Sequence, residues 1–543
     1  RSTKDWSQRF DGEYRGTGYA FKGNHLDFTK TFEPTLNYKT EFENSTLEVL
    51  GGYSYQYSTE ERYSIDMSGF TGDGFKDWNL GAGNARTDIT LPRPNATSFK
   101  EDNTLIAYFT RVSYSFKNRY FLQASMRQEG SSRFGKNNKW ANFPAVSGAW
   151  AISDEAFMEN ADFVNSLKLR VGYGVTGNQG IPNYQSIVTL GTGGKYPVFP
   201  EGGNGAVYYQ TYGPVKNPNP DLKWETKKEF NVGLDFGLFS NRLTGALDVY
   251  SRKTEDLLLN YDVPQPPFVQ PRIFTNVGNI SNKGVELALT YRVINKGDFT
   301  WTTDFTGSYQ ENELTKLSNQ VFTVSDIRGG NIGNPGNLGD AIVNAEGGPI
   351  GNFYGKRFAG FTVDGKWLFH KADGTIGRAS DMVDADKAII GNGLPKYYAS
   401  LSNTFKYKGL DLTVFFRGKF KYDILNTVDI FYGNPFTLPG NILNSAVGKF
   451  SQINEAAQYS DYYLESGDFI KLDNITLGYN FKMPEKSLIT AMRIFGSARN
   501  IATFTGYTGR DPEVQDTGLY PGIDDRNFYP RTVTITAGVN INF

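Results

Sequence analysis

Hydrophobic and polar residues alternate along this chain with a period of two, in segments of about ten to fourteen residues. The last segment is the clearest. Val533, Ile535, Ala537, Val539, Ile541 and Phe543 share one parity, and Thr532, Thr534, Thr536, Gly538, Asn540 and Asn542 the other. Successive side chains of a strand point to opposite faces, so this strand has one apolar face and one small or polar face. It is also long enough to cross a bilayer, which takes about 9–11 residues. The pattern recurs where Ile106, Tyr108, Val112, Tyr114 and Phe116 alternate with Arg111, Ser113 and Ser115. Leu47, Val49, Tyr53, Tyr55 and Tyr57 alternate likewise with Glu48, Ser54 and Gln56, and Leu412, Val414 and Phe416 with Asp411, Thr413, Arg417 and Lys419. Charges facing inward on so many strands would be intolerable in a dry core, where each needs a partner. A wet lumen accepts them, so the chain reads as all-β, a transmembrane antiparallel β-barrel.

The connections are of two kinds. Glu43-Asn44-Ser45, Lys117-Asn118-Arg119, Ser240-Asn241-Arg242 and Asn295-Lys296-Gly297-Asp298 are short polar turns, whereas residues 61–103, 178–223, 257–282, 424–466 and 504–528 are long connections. Compact soluble domains rarely hold structureless loops of this length. Short turns on one side and long loops on the other are what a transmembrane barrel requires. The 154–166 connection belongs with the short side and has room for one helical turn. About fifteen crossings, starting near residues 28–42 and ending at 529–543, place every short turn on one side and every long loop on the other. Residues 313–395 must then hold an even number of crossings, zero or two. About 15–17 strands exceed a small closed barrel, and the next fitting class is the 22-strand plugged outer-membrane transporter, with five or seven strands expected before Arg1. The start at Arg1, with neither initiator Met nor signal peptide, reads as a piece of something longer.

Composition sharpens this picture. Aromatics make up 15% of the 543 residues, with 33 Tyr, 41 Phe and 60 Gly, yet the mean hydropathy of −0.46 is too polar for a wholly apolar core of this size. One greasy and one wet face per strand reconcile the two. With 56 Lys+Arg against 57 Asp+Glu, no global field attracts nucleic acid. The absence of cysteine excludes disulfides, thiolate metal sites and thiol nucleophiles. Only His25 and His370 are present, too few for a Ser–His–Asp constellation. The carboxylate pairs Asp524 and Asp525, and Glu60 and Glu61, are adjacent and diverge on an extended backbone. Gly329, Gly330, Gly333, Gly336 and Gly339 match neither the Walker pattern nor the dinucleotide fingerprint and read as loop punctuation. No enzyme activity, cofactor or metal is expected.

Several motifs resemble the SusC/RagA-like TonB-dependent transporters of the Gram-negative outer membrane. They are Ser132-Arg133-Phe134-Gly135, Asn142-Phe143-Pro144-Ala145, the run Leu167 to Gly174 leading to Gly177-Asn178-Gln179, Asn217 to Glu225, and Asn276 to Glu286. The most specific are Phe469 to Tyr479 and Thr508-Gly509-Arg510-Asp511-Pro512-Glu513. The marks span essentially the whole chain in the expected order. The resemblance implies active uptake of a large nutrient, chiefly oligosaccharide and sometimes peptide, across an outer membrane in which the strands meet lipid. It also implies a SusD-like surface lipoprotein as a lid, a TonB–ExbB–ExbD complex as energy source, and a dimeric SusC–SusD assembly as a further arrangement to test. Residues 1–543 would be the C-terminal barrel part, with plug domain, TonB box and first strands supplied by the rest of the polypeptide.

Aromatic residues in the long loops, Trp78, Trp140, Tyr208, Tyr209, Tyr212, Phe431, Tyr432, Tyr462 and Tyr463, are the candidates for substrate contact, because flat rings stack on sugar faces. For any single ring, packing of loops on each other or on the lid is the simpler reading. Arg111, Arg127, Glu129, Asp248, Arg417 and Lys419 are the inward residues expected to line the route or hold the plug by charge pairs. Phe543 is expected to be both an interface aromatic and the barrel-assembly signal that the family carries at its terminus. Relatives often place a calcium-type carboxylate loop where this chain has Asp373, Gly374, Asp381, Asp384 and Asp386, but His370, Lys371 and Ala372 stand where further ligands would be needed, so a solvated acidic loop is expected. The rivals are a siderophore-type receptor of the same barrel size, a passive porin or structural barrel, and a soluble all-β carbohydrate-binding protein or glycanase.

Overall fold

The computed structural model describes residues 2–6, 18–72, 74, 77–84, 94–199, 205–318, 324–333, 338–484, 487–526 and 529–543, those of 2–6 as backbone alone. Its main feature is a 17-stranded sheet. The strands are β1 (Ser2–Trp6), β2 (Tyr19–Phe32), β3 (Thr35–Phe42), β4 (Ser45–Ser68), β5 (Ala96–Phe116), β6 (Tyr120–Ser131), β7 (Trp140–Ala151), β8 (Val164–Asn178), β9 (Glu225–Leu238), β10 (Leu243–Glu255), β11 (Asn279–Lys296), β12 (Phe299–Lys316), β13 (Tyr397–Tyr407), β14 (Leu410–Phe420), β15 (Phe469–Phe481), β16 (Ala491–Thr505) and β17 (Thr534–Asn542).

From β4 onward every strand pairs antiparallel with its chain-order neighbour. β2 and β3 are halves of one crossing, both paired to β4 in a single continuous register and interrupted at Glu33 and Pro34. Proline has no N–H to give the ladder. Since β1 pairs only with the first residues of β2, the 17 strands make fifteen full crossings: β2 with β3 as one, then β4 to β17 as fourteen. Among the described residues no pairing joins β1 to β17, so this sheet is an open wall. No described helix is long and apolar enough to cross a membrane; the strands do the crossing.

Register decides which residues share a face. Val171, Val232, Val249, Val285, Tyr309, Tyr397 and Phe420 stand directly opposite one another in turn, an apolar belt across the seven strands β8 to β14. One residue along, the row is Arg170, Gly233, Asp248, Glu286, Ser308, Tyr398 and Lys419. Because the side-chain period is two, these adjacent rows face opposite sides. The first row belongs to the lipid, and its members elsewhere in the wall stay uncovered by protein: Ile535 is 81% exposed and Val539 55%. The second lines the lumen.

Every short turn lies on one side. Lys117, Asn118, Ser240, Asn241 and Lys408 adopt left-handed backbone conformations there, and two 3-10 turns, Ile152–Asp154 and Ala156–Met158, occupy the β7–β8 connection. Residues 317–396 contain no crossing, because β12 pairs directly with β13. The long connections are not structureless. β4 and β5 remain paired well into the 61–103 stretch, with Glu61 opposite Lys100, and the 24 residues of β4 extend about 80 Å at 3.3 Å per residue, far beyond the membrane core. Hairpins Leu190–Val198 with Val207–Pro214 and Leu258–Asp262 with Arg272–Asn276 fill two further connections.

Residues 317–396 and 421–468 together build a cap over the long-loop side. The first contributes a four-stranded and a three-stranded sheet, and the second the strand Asp423–Asn426 and the helix Thr427–Tyr432, whose N-cap Asn426 accepts from the Asp429 N–H at 3.1 Å. Both segments meet in one core, where Phe353, Trp367 and Phe369 pack with Leu425, Ile430, Phe450 and Tyr463. Gly330, Gly333 and Gly339 take positive φ values of 68°, 73° and 84°, where a side chain would be strained. Gly333 and Gly339 are loop punctuation, as read from the sequence, whereas Gly329 and Gly330 lie in the strand Asp326–Asn331 of the four-stranded sheet; Gly336 lies outside the described residues.

Candidate functional site: the inner wall and the cap

All six charged residues expected to face inward do so, but the structure gives them different partners. Asp248 is bound by Arg170, which also grips Asp235, so one guanidinium on β8 spans to β9 and β10 with contacts of 2.8 Å to Asp235 and 3.1 Å to Asp248. Gly233 makes this possible: a Cβ there would fall 2.5 Å from the Asp248 carboxylate and 2.6 Å from the Arg170 guanidinium. Arg127 pairs with Glu129 at 2.7 Å and lies over Phe109. Arg111 faces Glu48 across 3.9 Å. Arg493 and Asp411 form a further pair at 2.5 Å across β15. On the short-turn half of this face, Thr46, Glu48, Ser113, Ser147, Arg170 and Gly172 help line a hollow of about 500 Å³.

Arg417 and Lys419 are engaged by the chain's own last long connection, residues 506–533. Arg417 donates to Glu513 at 2.5 and 2.8 Å and to Asp473 at 2.9 Å, and Lys419 pairs with Asp516 at 2.6 Å. Lys471, which is completely buried, donates to Glu513 at 2.5 Å and reaches Asp511 at 3.5 Å. Arg531 closes the set at 3.0 Å from Glu513. Lys471, Arg417 and Arg531 thus face Asp473, Asp511 and Glu513, a balanced cluster around the buried Lys471, Asp511 and Glu513. Burial alone would raise the Glu513 pKa, but the hydrogen bonds and charges of Arg417 and Lys471 outweigh it and hold it at about 2. This explains two motifs at once. The acidic residues of Thr508–Glu513 are the counter-charges of the lysine in the Phe469–Tyr479 strand, and together they latch the last loop inward onto the wall.

Arg170, Asp235, Lys471, Asp511 and Glu513 were missed as site residues. Their signal was present, in the parity of Arg170 and Asp235 and in the motifs themselves. Sequence does not say, however, which strand pairs with which loop.

The aromatic candidates separate into three groups. Tyr463 is 2% exposed and packs with Trp367 and Phe450, and Tyr462 sits among Phe358, Trp367 and Tyr463 with centroids 4.6–5.3 Å away. Phe431 is buried too, with the Arg526 guanidinium over its ring at 3.4 Å. Tyr463 and Phe431 are core residues of the cap and the partly buried Tyr462 packs against that core, which corrects the expectation of loop rings free to meet a sugar. Trp140 is in β7 rather than in a loop; it covers Gly130 and stacks on Tyr108 at 6.2 Å, in the outward-facing rows. Its position is that of a membrane-rim aromatic. Trp78, Tyr208, Tyr209, Tyr212 and Tyr432 remain exposed on the long-loop side. Phe543 stands exposed just beyond β17, on the short-turn side.

The Asp-rich stretch does not converge on one point. Asp373 accepts from the Thr375 N–H and hydroxyl, Asp381 from the Arg378 N–H, Asp386 from the Ala372 and Val383 N–H groups, and Asp384 pairs with Arg328 and Lys387. Hydrogen bonds to backbone N–H groups hold the Asp386 carboxyl below its usual range. Among the described residues the one grouping of three His or carboxylate ligand atoms is His25, Asp27 and Glu60, on the projecting end of β2 and β4.

A two-faced antiparallel wall, with lipid-facing rows outside, paired charges inside and a folded cap over its long-loop side, defines an outer-membrane β-barrel of the transporter type. Comparison with known proteins makes this specific. Residues 1–501 match the family described as TonB dependent receptor-like, beta-barrel, and the chain belongs to that family. It is 31% identical over 461 residues to the TonB-dependent receptor SusC of Bacteroides thetaiotaomicron, covering 82% of this chain and 44% of that protein. It is 30% identical over 600 residues to the TonB-dependent receptor P39 of Formosa agariphila, covering 97% of this chain and 53% of that protein. Among solved structures, the RagAB peptide transporter superposes with a TM-score of 0.81 at 26% identity, covering 97% of this chain and 56% of that chain. The chain therefore is a SusC/RagA-like receptor barrel and spans about half the length of the curated relatives it matches. These relatives are receptors and transporters rather than enzymes.

Proposed function

We propose that this chain is the wall and outer cap of an active importer that carries large nutrients through the outer membrane. Cargo meets the cap and exposed loop aromatics, is sealed in by a SusD-like lipoprotein lid, and passes along the polar inner wall. A pull through TonB–ExbB–ExbD, acting on a plug contributed by the remainder of the receptor, opens the route. The observation that carries this reading is the inner row from Arg170 to Lys419, a continuous polar track on seven strands of a family barrel. Arg170 and Asp248 shape the track, and Arg111, Arg127 and Glu129 line the inner wall beside it; Arg417 and Lys419 act through the latched last loop. Phe543 serves as the assembly signal.

Oligosaccharide is the first cargo reading, supported by the exposed rings of Tyr208, Tyr209 and Tyr212. Peptide is the second, favoured by the likeness to RagAB and by the loss of Tyr462 and Tyr463 to the cap core. The test is mass spectrometry of material co-purified with the receptor in detergent, with uptake assayed in cells with and without TonB. A lipoprotein lid, a plug-bearing polypeptide and TonB-dependent uptake are expected; uptake that persists without TonB would replace active import by a passive pore.

A further inference from the structure

A cavity of about 390 Å³ opens in the cap, between residues 338–387 and 434–459, lined by Lys356, Lys387, Phe436, Thr437, Gln458 and Tyr459 among others. It belongs neither to the inner wall nor to the latch, and its volume is within the range of small-ligand sites. No carboxylate is among its lining residues. Lys356 forms no salt bridge among the described residues; its ammonium donates to the Gln458 side-chain oxygen at 2.5 Å and lies 5.2 Å over the Phe369 ring. The carboxylates nearby are engaged elsewhere. Glu455 accepts from the Trp367 N–H at 2.9 Å and pairs with Arg378 at 3.3 Å, and Asp384 is shared between Arg328 and Lys387.

The donors are arranged accordingly. Gln458 has its oxygen on Lys356, and no described hydrogen bond engages its amide nitrogen or the Thr437 hydroxyl. Asn434 is the exception, with its oxygen on the Phe436 N–H and its nitrogen on the Glu455 carbonyl. Two ammonium groups, that of Lys387 shared with Asp384 outside the lining, an amide nitrogen and a hydroxyl therefore surround a space lined by no carboxylate. At the mouth Phe436 is 57% exposed, a flat apolar face beside the cations. A half-buried cation without a salt bridge is costly: burial first, then the Lys387 charge, lowers the Lys356 pKa from its usual value, and the Glu455 charge offsets them only in part. An incoming anion relieves both.

We propose that this pocket binds a carboxylate group of the cargo, with Lys356 and Lys387 as counter-charges, Gln458 and Thr437 as neutral donors and Phe436 as the platform for the adjoining ring or side chain. This deepens the importer reading and rests on it for the source of the ligand: a uronic acid on an oligosaccharide and an acidic residue of a peptide offer the same group.

The test is binding to the intact receptor in detergent by titration calorimetry. Tetragalacturonate is compared with neutral maltotetraose, and tetraglutamate with tetraglutamine. An acidic probe should bind about tenfold tighter than its neutral counterpart, the worth of one charge-assisted contact; the pair that shows the preference identifies the source. Lys387→Gln, at a partly exposed position, should remove most of that preference, as should Lys356→Gln, while Lys387→Arg retains it. Equal affinity for acidic and neutral probes, no binding of either acidic probe at millimolar concentration, or an undiminished preference in folded Lys387→Gln receptor overturns the proposal. TonB-dependent uptake without charge preference would remove the pocket and keep the importer. Charge-selective binding with TonB-independent uptake would do the reverse.

Discussion

The barrel wall and the cap answer the same problem, where to put apolar surface, in opposite ways. In the wall the large apolar side chains point out and stay uncovered by protein, Ile535 at 81% exposure being the extreme on β17. In the cap Trp367, Phe353 and Phe369 are fully buried against one another and against residues 421–468. The charges differ as well. The wall places them on the wet face, with Arg170 spanning neighbouring strands, whereas the cap pairs Arg378 with Glu455 and Arg328 and Lys387 with Asp384 but leaves Lys356 half-buried without a salt bridge. Lipid tolerates an apolar surface and water a polar one, so a strand between the two needs only correct parity. The cap has water on its outside and must make its own dry interior, which requires contacts between segments far apart in sequence.

That comparison can be broken by substitution. The largest effect is expected for Trp367→Ala, which opens a cavity costing about 3–5 kcal/mol. Limited proteolysis should cut the cap while the barrel keeps its folded electrophoretic mobility; loss of both together would mean that cap and wall form one cooperative unit. Next, Ile535→Arg on the lipid face should cost about 2–4 kcal/mol and impair assembly, whereas Thr536→Arg, one residue along on the lumen side, should be much milder. Equal tolerance at the two positions would refute the transmembrane placement of β17. Glu513→Gln should release the last loop at about 2 kcal/mol, because Lys471 is left buried with only the longer contact to Asp511. Hydrogen exchange within residues 506–518 should rise, and replacing Lys471 by Met in the same variant should restore part of the protection.

The smallest effect near neutral pH is also the most discriminating. Glu513 is held at about 2, below its ordinary 4.5, so its contribution to the latch is complete above 4.5 and is lost as pH falls toward 2. Asp423 and Asp429 in the cap go the other way. Burial is the main cause raising both above the ordinary 3.8, so their contribution is complete below 3.8 and is lost as pH rises through the raised values. Acidification should therefore increase exchange in residues 506–518 and not in residues 421–433, once the intrinsic pH dependence of exchange is removed. Parallel behaviour of the two peptides would show that the latch is not held by charge.

How much was legible beforehand differs between the two regions for the same reason. The wall could be read strand by strand. Parity alone separated Val533, Ile535 and Val539 from Thr534, Thr536 and Asn540, and the asymmetry of turn lengths set the direction of every crossing. The cap could not be read this way. Residues 313–395 left a choice between zero and two crossings, and the 424–466 connection, whose Tyr462 and Tyr463 suggested a sugar platform, turned out to supply core rings. Loop aromatics look the same in sequence whether they stack on a ligand or on each other. The latch lay in between: its motifs stood out, but the pairing of Lys471 with Glu513 joins residues 42 positions apart that no periodicity connects.

The sequence by itself determined the two-sided strands, their order, the side each connection takes and the class of membrane protein. These follow from local rules, namely the period-two pleat, the chemistry of tight turns and the length needed to cross a bilayer. Only the tertiary structure decided that the β12–β13 connection folds without crossing, that the buried aromatics belong to the cap core, and that Arg417 serves the last loop while Lys356 lines a cavity in the cap. Each of these depends on which distant surfaces meet, and burial and charge pairing are properties of the meeting rather than of either partner.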